Sequence, residues 1–210
     1  MAGSESEKSQ IRCARLAGFL YLFTYPSFML GISITGRLEV PGNSAESAHK
    51  IMASQPLYRF GLLCYLITYL CCIALAMGLY VAVKPIDNNL ALFALLFRSA
   101  ENILGAAYAV LGFVALNDAR SIGFYVAMIF LGLGSLLFFF LFLKSNYIPK
   151  VLSAWGVFAS VLFTIGGFAL LLWPQYGTSL QLSWLPMALA ELSVGLWLLV
   201  NGLNLRPRTV

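Results

Sequence analysis

Three charged residues stand deep inside long apolar runs of this 210-residue chain: Arg98 and Glu101 in one run, Glu191 in another. Insertion scales put a charge at the centre of a membrane helix at a cost starting near about 2.5–3.5 kcal/mol, so such residues face a protein interior and commonly mark a functional site. Arg98 and Glu101 are three positions apart, on one helical face, and can pair. One guanidinium neutralises one carboxylate, which leaves Glu191 as an acid in excess. Burial disfavours an unbalanced carboxylate, and a carboxyl that carries a proton can act as an acid, a relay or a coupling site. The plainer alternative is a triad in which Arg98 bridges both glutamates and only fixes helix packing.

Glu191 and Glu101 are therefore the candidate acid or proton-relay residues, and Arg98 the candidate binder of an anionic or carbonyl group. Asn102 follows Glu101, with Gly105 and Tyr108 roughly on that side. Tyr65, Thr68 and Tyr69 share part of a second run, and Tyr21, Thr24 and Tyr25 precede Pro26 in the first. Asn102, Tyr65, Tyr69 and Tyr25 complete the candidate binding set, with packing as the competing role for the tyrosines. Pro26 can loosen its helix and free a carbonyl.

Other chemistries are excluded. His49 is the only histidine and lies in a loop, so neither a Ser-His-Asp triad nor a His-rich metal site can form. No Walker or dinucleotide fingerprint occurs, and the deep runs contain no lysine for a Schiff base. Cys13, Cys64, Cys71 and Cys72 show no metal-type spacing and read as small packing residues. No cofactor is expected.

The elements that must hold these groups are membrane helices. The chain is 60% hydrophobic and 10% charged, with a mean hydropathy of +0.86, whereas a soluble domain carries about 25% charged residues. A lipid bilayer is the expected surrounding. The net charge of +5 forms no stripe or patch, which argues against nucleic acid. Six runs approach the roughly 20 apolar residues needed to span a hydrocarbon core: Ala14–Ile34, Tyr58–Val83, Leu90–Leu116, Ile122–Leu143, Val151–Trp173 and Trp184–Leu205. Solid apolar runs without period-two alternation give helices rather than a barrel. The fold class is thus all-α: a single six-helix transmembrane domain over 14–205, between a polar tail at 1–13 and a second tail at 206–210. The first span is too long for a signal peptide and no Ala-x-Ala site follows it, so it reads as uncleaved.

With the N-terminus inside, Lys8, Arg12, Arg15, Lys84, Lys144, Lys150, Arg206 and Arg208 lie inside, against Arg37, Lys50, Arg59 and Arg120 outside. That asymmetry places both termini in the cytoplasm of a plasma-membrane protein, with Trp173 and Trp184 at the outer interface. The outer loop, 36–57, contains Asn43 and Glu46 in capping-box spacing. The helix they begin has Ala45, Ala48, Ile51 and Met52 as a weak apolar face, and is either a lid or a passive interfacial helix.

An internal echo links the third and sixth runs: Ala100-Glu101-x-x-x-Gly105 and Ala190-Glu191-x-x-x-Gly195, offset by 90 residues. Three spans per half would invert the halves, a plan common in transporters.

Blocks in a fixed order carry a resemblance: R-x-A-G-F-L-Y-L near Arg15, then V-P-G-N-S-A-E, L-Y-R-F-G, F-R-S-A-E, N-Y-I-P-K-V-L and A-E-L-S-V-G-L-W-L. From Arg15 to Asn201 the chain resembles a prokaryotic family of six-span membrane proteins known as domain of unknown function 4386. The resemblance implies the span count and a bacterial-type membrane, and supplies no reaction or catalytic residue. Three functions stay open: binding or proton-coupled transport of a lipophilic or anionic small molecule, an intramembrane isomerase or cyclase acting on a lipid-soluble substrate, and an accessory subunit. In the last, small residues such as Ala14, Gly18, Gly132 and Gly134 would seat a partner helix. Oligomeric state is not legible.

Overall fold

The structure is a computed structural model that describes residues 2–40, 43–111, 118–176 and 181–205. Its described elements are α1 (Ala2–Leu38), α2 (Ser44–Ala53), α3 (Gln55–Val83), α4 (Asn88–Leu111), α5 (Asp118–Ser145), α6 (Lys150–Leu172) and α7 (Trp184–Val200), with 3-10 turns at Pro174–Tyr176 and Gln181–Ser183. No strand occurs among the described residues. Among the described residues five helices are long and apolar enough to cross a membrane, and α7, at 17 residues, is a shorter apolar helix.

Helices follow the apolar runs, and the differences lie at their ends. α1 begins at Ala2, so the segment read as a tail at 1–13 is largely helical and continuous with the first run. It also docks: Gln10 is buried and its amide donates to the carbonyl of Ala82 near the end of α3. Pro26 lies inside α1 without ending it. α5 starts at Asp118, inside the segment read as a connection. Of the third run, residues 112–116 lie outside the described residues. α7 stops at Val200 rather than Leu205 because Gly202 takes a positive φ of 67°, and its N–H bonds the Leu198 carbonyl at 3.1 Å. A glycine in this left-handed conformation is a common helix stop.

The large helices form a closed ring in chain order. α1 packs on α3, α3 on α4, α4 on α5, α5 on α6, α6 on α7, and α7 returns to α1. Small residues set the close approaches. A Cβ at Gly18 would lie 2.5 Å from the Leu199 nitrogen and 2.6 Å from the Gly195 oxygen, and one at Gly78 would lie 2.8 Å from the Cys13 oxygen. Gly132 is filled by Thr164 of α6, and Ala14 is fully buried. These small residues serve contacts within the chain.

Polarity is arranged for lipid. Leu16, Phe19, Phe23, Leu96, Phe158 and Ile165 are exposed, whereas Arg98, Glu101, Asn102, Ser135, Ser160 and Glu191 are buried. Exposed apolar surface on this scale marks contact with lipid or protein. Inner hydroxyls are satisfied locally: Ser160 donates to the Gly156 carbonyl at 2.7 Å and Thr164 to the Ser160 carbonyl at 2.8 Å. Such bonds to the preceding turn spare the hydroxyl an unpaired burial.

α2 begins as its spacing predicts. The Asn43 side chain accepts from the Glu46 N–H at 3.0 Å, and its amide donates to the Glu46 carboxylate at 3.1 Å. The buried face is only partly the expected one: Ile51 is buried and Ala48 partly so. Ser47 and Ile51 face inward, Ile51 packing with Leu38 and Tyr58, while Ala45 and Met52 are exposed. A turn of 100° per residue puts 47 and 51 on one side and 45 and 52 away from it.

Replacing Gly18 with Val forces the α1 and α7 backbones apart, and overpacking of this kind costs typically about 1–3 kcal/mol. A Cβ at Gly36 meets nothing within 4 Å, so Gly36→Ala is the matched control. The expected result is a clear fall in thermal midpoint in detergent for Gly18→Val and little change for Gly36→Ala.

Candidate functional site

Arg98, Glu101 and Glu191 converge. α4 presents Arg98 and Glu101 one turn apart, with Nη1 to Glu101 Oε2 at 3.4 Å. α7 brings Glu191 from across the ring, its Oε1 3.7 Å from the same nitrogen. Arg98 is 2% exposed and each glutamate 6%. Gly134 of α5 makes the room, since a Cβ there would lie 2.8 Å from Arg98 Cγ. Ser135, the next residue, accepts from Arg98 Nη1 at 3.4 Å. Tyr25 of α1 donates its hydroxyl to Glu191 Oε2 at 2.9 Å.

Charges in the group are paired more fully than its hydrogen bonds. Arg98 Nε, Glu101 Oε2 and Glu191 Oε1 are buried without hydrogen-bond partners, as is the indole nitrogen of Trp184. Buried polar atoms are nearly always satisfied, so a cluster of exceptions calls for an explanation such as a bound water, ion or ligand.

The three residues line a cavity of about 210 Å³ to which all six ring helices contribute. Along α7 the lining residues are Trp184, Met187, Ala188 and Glu191, a stripe at i, i+3, i+4 and i+7 that falls on one helical face. Seven residues at about 1.5 Å each give roughly 10 Å from the Trp184 level to the Glu191 level. Phe124 packs edge-on to Trp184 at a centroid distance of 5.6 Å. Phe28, Leu75, Leu131 and Phe163 make much of the remaining wall. The cavity is therefore largely apolar, with its ionic groups gathered at one level.

Of the residues expected from sequence, Arg98, Glu101, Glu191, Tyr25 and Tyr69 line this cavity. Tyr69 does so because Gly105 of α4 has no side chain; a Cβ there would run into the Tyr69 ring. Tyr65 does not line it. Its hydroxyl shares a 3.1 Å hydrogen bond with Thr35, and its ring packs edge-on to Phe28. Asn102 is also absent from the lining: it is fully buried and its amide donates to the Arg98 carbonyl at 2.6 Å. The Tyr108 side chain lies outside the described residues. Trp184, read as an interface anchor, is half-buried and lines the cavity. α2 contributes no lining residue, and its contacts with the ring are to α1 and α3. Ser135 was not visible as a site residue, because a serine among Gly132, Gly134 and leucines carries no distinguishing signal.

Among the described residues no three His, Cys, Asp or Glu side chains are placed to hold a metal ion. The group's formal charges are one positive and two negative. It can accept a proton or a cation, or pass a proton to whatever occupies the cavity.

Losing one member of such a group costs more than losing all of it, because an uncompensated charge stays buried; breaking a buried pair costs about 3–5 kcal/mol. Arg98→Met should therefore destabilise by about that amount. The triple variant Arg98→Met, Glu101→Gln, Glu191→Gln should recover most of the loss in thermal midpoint. A triple variant no more stable than the single one would mean that Arg98 acts by packing rather than by charge.

No curated protein and no solved structure matches the chain. The sequence model of one family, described as "Domain of unknown function (DUF4386)", matches residues 16–112 and 104–202, which together include every residue of the charged group. The chain is a member of that family, a domain of unknown function, and its long apolar helices are those of a multi-pass membrane protein.

Proposed function

We propose that this protein binds a small lipophilic molecule in a cavity within the membrane, and that a proton on the Arg98–Glu101–Glu191 group accompanies binding or transport. The observation that carries this is an ionic group with unpartnered polar atoms at one level of an otherwise apolar cavity. A ligand site typically joins apolar walls to a few convergent polar groups. A volume of about 210 Å³ is below the roughly 300–1,000 Å³ of drug-sized pockets, so the bound portion is on the order of ten non-hydrogen atoms.

In this reading the chain crosses the plasma membrane six times, with both termini cytoplasmic. α7 is about 25 Å long at about 1.5 Å per residue, and a short span is accommodated by modest local thinning of the bilayer. Eight inner against four outer basic residues support the orientation. Supporting two inverted halves, the acids of the repeated A-E-x-x-x-G segments meet at the centre. Their glycines are used differently, Gly105 receiving Tyr69 of α3 and Gly195 receiving Tyr21 of α1.

The aromatic walls also favour a second reading, an isomerase- or cyclase-type enzyme in which Glu101 or Glu191 protonates the substrate and ring faces stabilise the cation. The accessory-subunit reading loses support, because its small residues are occupied by helix contacts inside the chain.

Filling the cavity tests binding without touching the charges. Ala188 lines it and is half-buried, so Ala188→Trp occupies the space. Mass spectrometry of organic extracts should find a small molecule enriched with purified wild-type protein and lost from Ala188→Trp of equal thermal stability. Identical extracts from the two proteins would defeat the proposal.

A further inference from the structure

Resting on that reading, we infer that the ligand is a lipophilic amine bound as its ammonium ion, its N–H held by the Glu101 and Glu191 carboxylates among aromatic side chains. Three observations converge on this class. The first is charge: Arg98, Glu101 and Glu191 are the charged residues among those lining the cavity, two acids to one base. A monocation can take the place of the proton that otherwise balances the second acid and leave the group neutral, whereas an anion beside the singly protonated group leaves a net negative charge in a buried site. Arg98 is poorly placed to attract an anion, being 2% exposed and contacted by both carboxylates.

The second is hydrogen bonding. Glu101 Oε2 and Glu191 Oε1 face Arg98 Nη1 as ion pairs at 3.4 and 3.7 Å but accept no hydrogen bond, and an ammonium N–H is a donor they can take; a charge-assisted bond of this kind is about twice as strong as a neutral one. The third is the wall. Seven of the twenty lining residues are aromatic. Tyr25 donates to Glu191, Tyr21, Tyr69 and Phe28 line the same cavity, and Phe124 packs against Trp184, two turns along α7 from Glu191. Aromatic rings attract a cation electrostatically, more strongly when it is desolvated, and also bury its hydrocarbon. A neutral lipid would use the walls and leave the second acid to be balanced by its proton alone. A hydrated inorganic cation would use the acids and waste the walls.

An isosteric pair separates charge from shape. Benzyldimethylamine is cationic at neutral pH, and isobutylbenzene has the same outline with carbon in place of nitrogen. Binding of each radiolabelled probe to detergent-purified protein is measured, with Ala188→Trp as the blank for partition into detergent. The expected result is at least about tenfold tighter binding of the amine, with Glu191→Gln removing most of that preference. If Glu191→Gln does not fold, Glu101→Gln gives the same reading. Equal or tighter binding of isobutylbenzene overturns the ammonium assignment and leaves the lipophile site standing. Binding of neither probe above the blank overturns both.

Discussion

An arginine inside a membrane bundle can keep its charge only if other groups replace the water it has lost, and the interior of this protein is arranged around that requirement at Arg98. The side chain is fully enclosed, so its counter-charges have to come from helices. Glu101 comes from the same helix, one turn on. Glu191 comes from α7, which places the last helix of the chain opposite α4 across the ring. A ring closed by α7 against α1 is the arrangement that brings the two together. The charged group and the topology are one constraint, because opening the ring strands a charge in hydrocarbon at a cost well above that of any single apolar contact.

Glycine supplies the space this demands. Gly134 lets the stem of Arg98 lie against the α5 backbone, Gly105 admits the Tyr69 ring, and Gly195 admits Tyr21 while holding α1 close through Gly18. Hydrophobic association between helices is weak in lipid, where tails are as apolar as leucine, so close contact through small residues carries much of the packing. Here the same glycines let large aromatic side chains recess into the wall. The cavity remains open beside fully buried neighbours such as Leu75 and Met187.

Much of this was legible in the sequence, for physical reasons that differ by residue. Arg98, Glu101 and Glu191 stood out because charge in an apolar run is costly, and that cost is what drives them together. Tyr25 and Tyr69 followed from sharing helical faces with other polar groups. Tyr65 shares a face with Tyr69 but sits one turn away, and a turn of about 5.4 Å carries it from the cavity to Thr35. Asn102 is not among the residues lining the cavity, because a short amide can bond the carbonyl four residues back on its own helix, which hydropathy does not distinguish from facing a cavity. The end of α7 was overrun because Leu203 and Leu205 continue the apolar run, while the helix obeys the backbone of Gly202. The role of Ser135 depends on where α5 sits against α4, information that resides in the contact and not in either segment.

A second acid is more than the fixing of helix register requires. A triad selected only to fix helix register can be balanced by one acid and one base, and every added buried acid makes it costlier. Tyr25 donates a hydrogen bond that holds the second acid, Glu191, in place, and Ser135 accepts one from Arg98. Yet the carboxylate oxygens that face Arg98 accept no hydrogen bond, beside a cavity with room for a ligand. An ionised acid at position 191 carries a desolvation cost that a neutral side chain would avoid. Retaining an acid there, oriented and only partly satisfied, fits a group whose missing partner arrives from outside the chain.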